Sequence, residues 1–355
     1  MQNSKTPEAT PAYSYPQFTE EMRKTYKILV PNMLPVQLGL ICRLMKNYGY
    51  DMELLHTEGP NIAEQGLRNV HNDTCYPALL VIGQFLDALG SGKYDLDHTA
   101  LIITQTGGGC RASNYSMVLR KALNKLGLEI PIVTLGFSTL SRNSGFSLTP
   151  AMCIRALVAV TYGDLLLLLG NQVRPYETNP GQTQSLLRHW EETLGRELSA
   201  ARAGLGQVKR NLKNIARSFA EIPVKAAKKV KVGIVGEVYV KYSPFANNQL
   251  EEFLQNQDCE YMLPGVLGFL RYCLSSPAVD WELYGGSRFS REVSVFLGRV
   301  IGRFEAALSR ALAGYPQFHT PPSFRQMREK GERILSKGVK MGEGWYLPAE
   351  MVEWV

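Results

Sequence analysis

The chain has six cysteines in 355 residues, and no two of them form a CxxC pair. Cys42, Cys75, Cys110, Cys153, Cys259 and Cys273 lie far apart. That spacing excludes a small secreted disulfide framework and zinc-finger ligation. A P-loop is missing, because no Lys-Ser/Thr pair follows the one glycine-rich turn. Internal repeats are missing too. The most apolar stretch, 153 to 170, is broken by Arg155 and Asp164, so it reads as a buried helix rather than a membrane span. The first residues show no charged-then-apolar leader. These absences lead to the expectation of a cytoplasmic, reducing compartment with no membrane contact.

What is present is globular in composition, with 45% apolar and 20% charged residues. The length suits two domains of ordinary size. The net charge of +7 is local in origin. Between Arg202 and Lys231 stand nine basic residues against Glu221 alone. Such a stripe can meet nucleic acid or an acidic partner. Phe219 is its only aromatic residue, so the stripe reads as a solvated helix face and no nucleic-acid partner is expected.

The organising stretch runs from Thr104 through Gly107-Gly108-Gly109-Cys110-Arg111-Ala112-Ser113-Asn114 to Tyr115. The β-branched run 101 to 104 before it reads as a buried parallel strand. Tyr115, Val118, Leu119, Ala122, Leu123 and Leu126 after it follow the helical period. Three glycines and a thiol therefore sit between the carboxyl end of a strand and the start of a helix, where open α/β sheets bind ligands. An inert turn, a phosphate cradle and a metal–thiolate site all fit this position. Cys75 distinguishes them. It opens the preceding helix, with Pro77 in that helix's first turn and Asp73 or Thr74 as its expected cap. The two thiols are separated by 35 residues, about one β-α unit, so their loops fall along one sheet edge and the metal reading gains.

The rest of the chain is read in order. Residues 1 to 25 read as a mobile tail. Strands at 27–31 and 51–56, around a helix at 36–48, begin a doubly wound sheet, and a strand at 132–137 continues it. Long helices are expected at 150–174 and 183–219. A second α/β unit follows, with a buried strand at 230–240, a helix at 247–253, a strand at 260–263 and a helix at 266–274 that places Cys273 near its end. Amphipathic helix fills most of the remainder. The expected architecture is α/β, with two Rossmann-like (flavodoxin-like) parallel-sheet domains at 26–180 and 230–355 joined by helices at 181–229.

Several stretches resemble a known family. They are Val30-Pro31-Asn32-Met33-Leu34-Pro35, the stretch from Val70 to Ala78, Thr104 through Tyr115, Val173-Arg174-Pro175-Tyr176-Glu177, the stretch from Gly236 to Asn248, and Gly342-Glu343-Gly344-Trp345. Together they are similar to the 2-hydroxyacyl-CoA dehydratase subunits and double-cubane cluster reductases. More closely, they resemble the module found in large CoA-substrate-specific enzyme activases. The match runs over nearly everything after Tyr26.

The resemblance implies an iron–sulfur cluster, of 4Fe-4S or double-cubane type, held by Cys75 and Cys110, with Cys273 as a third candidate ligand. It also places Gly107, Gly108, Gly109, Arg111 and Asn114 at the cofactor, where backbone N–H groups can bond bridging sulfides. Arg111 and nearby tyrosines are candidates to orient a substrate. Cys259 fits the resemblance less well, and Cys42 and Cys153 are expected in the core. The implied activity is low-potential single-electron transfer to a CoA thioester or another small substrate, with ATP hydrolysed by a separate activator protein. The alternative functions are a non-catalytic assembly module and a nucleotide-binding α/β protein. Oligomerisation is left open. In the relatives, a further strand and cysteine loop follow the Gly-Glu-Gly-Trp stretch, so the second domain is expected to be incomplete here.

Overall fold

The computed structural model describes residues 15–71, 73–106, 109–136, 145–200 and 204–354. After a short helix α1 (Met22–Thr25), β1 (Lys27–Val30), α2 (Pro35–Lys46) and β2 (Asp51–Leu54) form the first β-α-β unit. Helices α3 (Pro60–Asn69) and α4 (Tyr76–Gly90) lead into β3 (Thr99–Gln105), and α5 (Tyr115–Lys125) leads into β4 (Ile132–Gly136). These four strands make one parallel sheet in the order β2-β1-β3-β4. β3 lies inside the sheet and is buried along residues 99–103, as its continuous apolar run requires.

Helix α6 (Pro150–Val173) follows, then α7 (Gln182–Ser199) and α8 (Leu205–Ala220). The single helix expected at 183–219 is found as α7, capped by Ala200, and α8, which opens from an extended Gly204; residues 201–203 lie outside the described residues. By length and composition α6 could cross a membrane. Here its apolar sides pack against α2, α7, α8 and three elements farther along the chain. On α8, Val208, Leu212, Ile215 and Phe219 turn inward, while Lys209, Arg210, Lys213 and Arg217 face solvent, the solvated basic face that the sequence suggests.

β5 (Lys231–Gly233), α9 (Val238–Tyr242), α10 (Leu250–Asn256) and β6 (Glu260–Met262) come next. β5 and β6 pair in parallel as a two-stranded sheet. The long buried strand expected at 230–240 is not found. Val230 is exposed, and Val238–Val240 is helical because the Glu237 carboxylate caps it, accepting from the Val240 N–H at 2.9 Å. α11 (Val266–Tyr284), α12 (Arg288–Leu312), α13 (Phe324–Glu332) and α14 (Tyr346–Trp354) complete the chain. One apolar core runs from α2 through α6 and α8 to β6, α11 and α12. The fold is thus mixed α/β, with a four-stranded parallel sheet and a large helical complement.

Two more expectations change. Residues 15–25 are not a loose tail: Phe18 is fully buried, and its carbonyl accepts from the Gly145 N–H at 2.9 Å. Helix α11 also runs past Leu274 and continues through Pro277. Pro277 has no N–H to offer the Cys273 carbonyl four residues earlier, yet the helix continues to Tyr284, so Cys273 stands mid-helix rather than near the end.

Candidate functional site

Cys75 is the N-cap residue of α4, in an extended conformation. Neither Asp73 nor Thr74 caps the helix. The Asp73 N–H instead donates to the His71 Nδ1 at 3.2 Å, outside the helix start. The Cys75 Sγ lies 3.1 Å from the Tyr115 hydroxyl, and the two share a hydrogen bond. Tyr115 begins α5, so this contact ties the starts of two successive helices together.

Cys110 precedes a single 3-10 turn, Arg111–Asn114, and α5 begins only after it. The Cys110 carbonyl accepts from the Ser113 hydroxyl at 2.7 Å and the Ser113 N–H at 3.0 Å, which fixes the turn. Arg111 and Asn114 are exposed. Gly107 and Gly108 lie outside the described residues. A Cβ placed on Gly109 would meet the Met341 sulfur at 2.9 Å, so this glycine is where the cysteine turn touches the C-terminal part of the chain.

Cys273 reaches the same region from α11. Burial pushes its thiol up to about 12, with the Glu343 carboxylate and then Cys110 adding to the rise. Burial likewise raises the Tyr115 phenol well above its ordinary range, followed by the bond to Cys75 and the charges of Glu237 and Cys110. Cys75, Cys110 and Cys273 are all half-buried. Tyr115 thus lies within electrostatic reach of Cys75, Cys110 and Glu237, Cys273 within reach of Cys110 and Glu343, and Glu237 within reach of Glu343.

The other cysteines lie elsewhere. Cys42 is buried, and loss of solvent pushes its thiol up to about 12. Cys153 departs from the expectation of a core thiol. It is exposed because it falls in the first turn of α6, ahead of the buried part of that helix. Cys259 is half-buried against the core.

Glu237 and Glu343 were not singled out by sequence reasoning, although both lie in the quoted motifs. The available signal was the glycine beside each. Glu343 accepts from the Val238 N–H at 2.7 Å, so it joins the start of α9 to the 342–345 turn. Desolvation raises the Glu237 carboxyl, and the nearby Glu343 charge adds to it. The turn itself needs its glycines. Gly342 and Gly344 have φ of +62° and +42°, a region that side chains rarely adopt. Tyr272, next to Cys273, donates to the carbonyls of Lys340 and Gly342 and holds the turn against α11. Trp345 then packs fully buried against Tyr272, Tyr346 and Phe324.

A contrast between the two glycines tests this account. A Cβ on Gly344 would overlap the Val339 carbonyl, whereas one on Gly342 meets open space. Gly344→Ala should cost about 2–3 kcal/mol in urea denaturation and Gly342→Ala about 1 kcal/mol. Equal costs would contradict the tight packing at Gly344.

In comparisons with known proteins, no family model, curated protein or solved structure matched this chain.

Proposed function

We propose that the chain is an iron–sulfur redox protein or enzyme component of the 2-hydroxyacyl-CoA dehydratase kind. In this reading it consists of two Rossmann-like halves, with Cys75, Cys110 and Cys273 as thiolate ligands at their meeting point. Its electron acceptor is a CoA thioester or another small substrate, and its partner is an ATP-hydrolysing activator protein. The observation that supports the reading is a chain of neighbours: Cys75 at the start of α4 bonds Tyr115, Tyr115 lies within electrostatic reach of Cys110 at the turn before α5, and Cys110 within reach of Cys273 in α11.

In chemistry the proposed donors suit the group, because thiolates are the usual ligands of iron–sulfur clusters. Among the described residues, no three His, Cys, Asp or Glu side chains are grouped to hold a single metal ion. A cluster spreads its thiolates over several irons, so a wider arrangement suits it. When bound, such a cluster supplies one-electron transfer at low potential. The chain's own groups have local tasks. Tyr115 orients Cys75 through their 3.1 Å contact. Ser113 fixes the backbone at Cys110. The Tyr272 hydroxyl and Glu343 hold the 340–343 turn beside Cys273.

Iron and sulfide analysis after anaerobic reconstitution tests the ligand assignment. Cys75→Ser, Cys110→Ser and Cys273→Ser should each lower iron per chain by about half or more, since a hydroxyl is a poor substitute for a soft thiolate. Cys42→Ser should leave iron unchanged and cost about 1–2 kcal/mol of stability, because it buries a hydroxyl. Wild-type iron in Cys110→Ser would remove the basis of the reading. The second reading is a non-catalytic assembly module with reduced and metal-free thiols. It predicts no bound iron in any of these proteins.

A further inference from the structure

The end of α11 and the first half of α12 carry apolar residues that are largely exposed among the described residues. Tyr284 is 71% exposed, Phe289 78% and Phe296 62%, with Val293 exposed between them. On α12, residues 289, 293, 296 and 300 share one helical face. In the second half of the same helix, Phe304 and Ala311 are buried where α12 runs against α8 and α6. An apolar stripe thus begins uncovered and ends in the core. Exposed aromatic clusters of this kind mark interaction surfaces.

The surrounding charge says what can cover it. Arg288, Arg299 and Arg303 are exposed, and no ion pair to any of them is found among the described residues. Arg291 is paired with Glu292 and stacks on Trp281 at 4.5 Å. Glu282 and Asp280, the nearby acids, are already paired with Lys337 and Lys340. The uncovered face is therefore apolar with an unmatched positive rim. A second copy would bring arginine against arginine, which disfavours self-association. The patch also reaches toward the thiols. A Cβ on Gly338 would meet Leu283 at 3.1 Å and the Tyr284 hydroxyl at 3.3 Å, and the same loop continues to Met341, which touches Gly109 beside Cys110.

We propose that this face docks an acidic protein partner through an amphipathic helix with an apolar stripe and carboxylate flanks. The inference rests on the surface alone and holds whether or not the thiols bind a cluster.

Fluorescence anisotropy with the full chain tests it. The probe is a labelled helical peptide with a Leu/Phe stripe flanked by glutamates, and the control is the same peptide with lysine flanks. The acidic peptide should bind, and its affinity should fall severalfold between 50 and 500 mM salt. Phe289→Ser/Phe296→Ser should weaken it at least about tenfold, and Arg299→Glu should weaken it severalfold. Because these side chains are exposed, an unchanged melting temperature is the folding control. Acidic-peptide binding that is absent, or unaffected by the double variant, overturns the proposal. Two other results overturn it in favour of a different occupant: a dimer in sedimentation that the double variant abolishes, or binding to phosphatidylserine vesicles that depends on Phe289 and Phe296 while the acidic peptide does not bind.

Discussion

Lys241→Met should lower the stability of the chain by about 3–5 kcal/mol, the usual consequence of leaving one member of a buried ion pair alone. Lys241 and Glu350 are each 1% exposed at the side chain, and the Lys241 Nζ lies 2.7 Å from both carboxylate oxygens. Burial still raises the Glu350 carboxyl despite the cation beside it. Loss of solvent is thus the larger effect, and the lysine only limits it. Without Lys241, that carboxylate must either stay charged in an apolar surrounding or take up a proton. The bond joins α9 to α14, and Glu343 joins the start of α9 to the turn before α14. Urea denaturation of Lys241→Met, Glu350→Leu and the double variant checks the claim. The double variant should recover most of the loss, because apolar pairs often replace buried ion pairs at little cost. Losses that simply add would mean that the two groups are not coupled.

Asp164 carries the second large effect. It projects from the middle of α6 and is buried. Its oxygens accept from the Gln37 amide at 3.0 Å and from the Leu267 N–H at 2.9 Å, so it caps α11 from another element. Asp164→Ala leaves both donors unmet and should cost about 3–4 kcal/mol near pH 4, and less above pH 6.

The same carboxyl sets a pH dependence. Burial pushes it up from its ordinary 3.8 to about 6, against the hydrogen bonds that favour its charge. The folded chain therefore binds this proton more tightly than the unfolded chain. Stability from this group is full below about pH 4 and is lost as pH rises through 6, by about 3 kcal/mol in all. Asp164→Asn should flatten that fall. Its carbonyl can still accept from Leu267, and its amide can donate to a flipped Gln37. Chemical denaturation of both proteins between pH 4 and 7.5 provides the check. A wild-type curve no steeper than that of Asp164→Asn would show that the carboxyl titrates in its ordinary range.

The first half of the fold was legible because its signals are local. The β-branched run before the glycine turn could be only a buried strand. Pro77 and the helical period after it placed Cys75 at a helix start, as found. The hydrogen bond between Cys75 and Tyr115, which ties the starts of α4 and α5 together, is a contact that no spacing rule contains.

The second half was less legible because its short elements take their shape from distant residues. Val238–Val240 looks like strand, but Glu237 and Glu343 cap it as helix. The helix expected at 266–274 continues through Pro277 to Tyr284, and Cys273 is thereby set mid-helix. Cys153 follows an apolar helix pattern, but its turn lies ahead of the packed length of α6. The pairing of Glu343 with the start of α9 spans more than a hundred residues, and no local pattern announces it.

The proposed iron–sulfur cluster at Cys75, Cys110 and Cys273 has a direct spectroscopic signature. An anaerobic absorption and EPR spectrum of the reconstituted wild-type chain, with iron and acid-labile sulfide counted on the same sample, tests it most directly. The account predicts a broad charge-transfer band in the visible, iron and sulfide in near-equal amounts, and an EPR signal on reduction that Cys110→Ser loses. A colourless protein without iron or sulfide after reconstitution would contradict it.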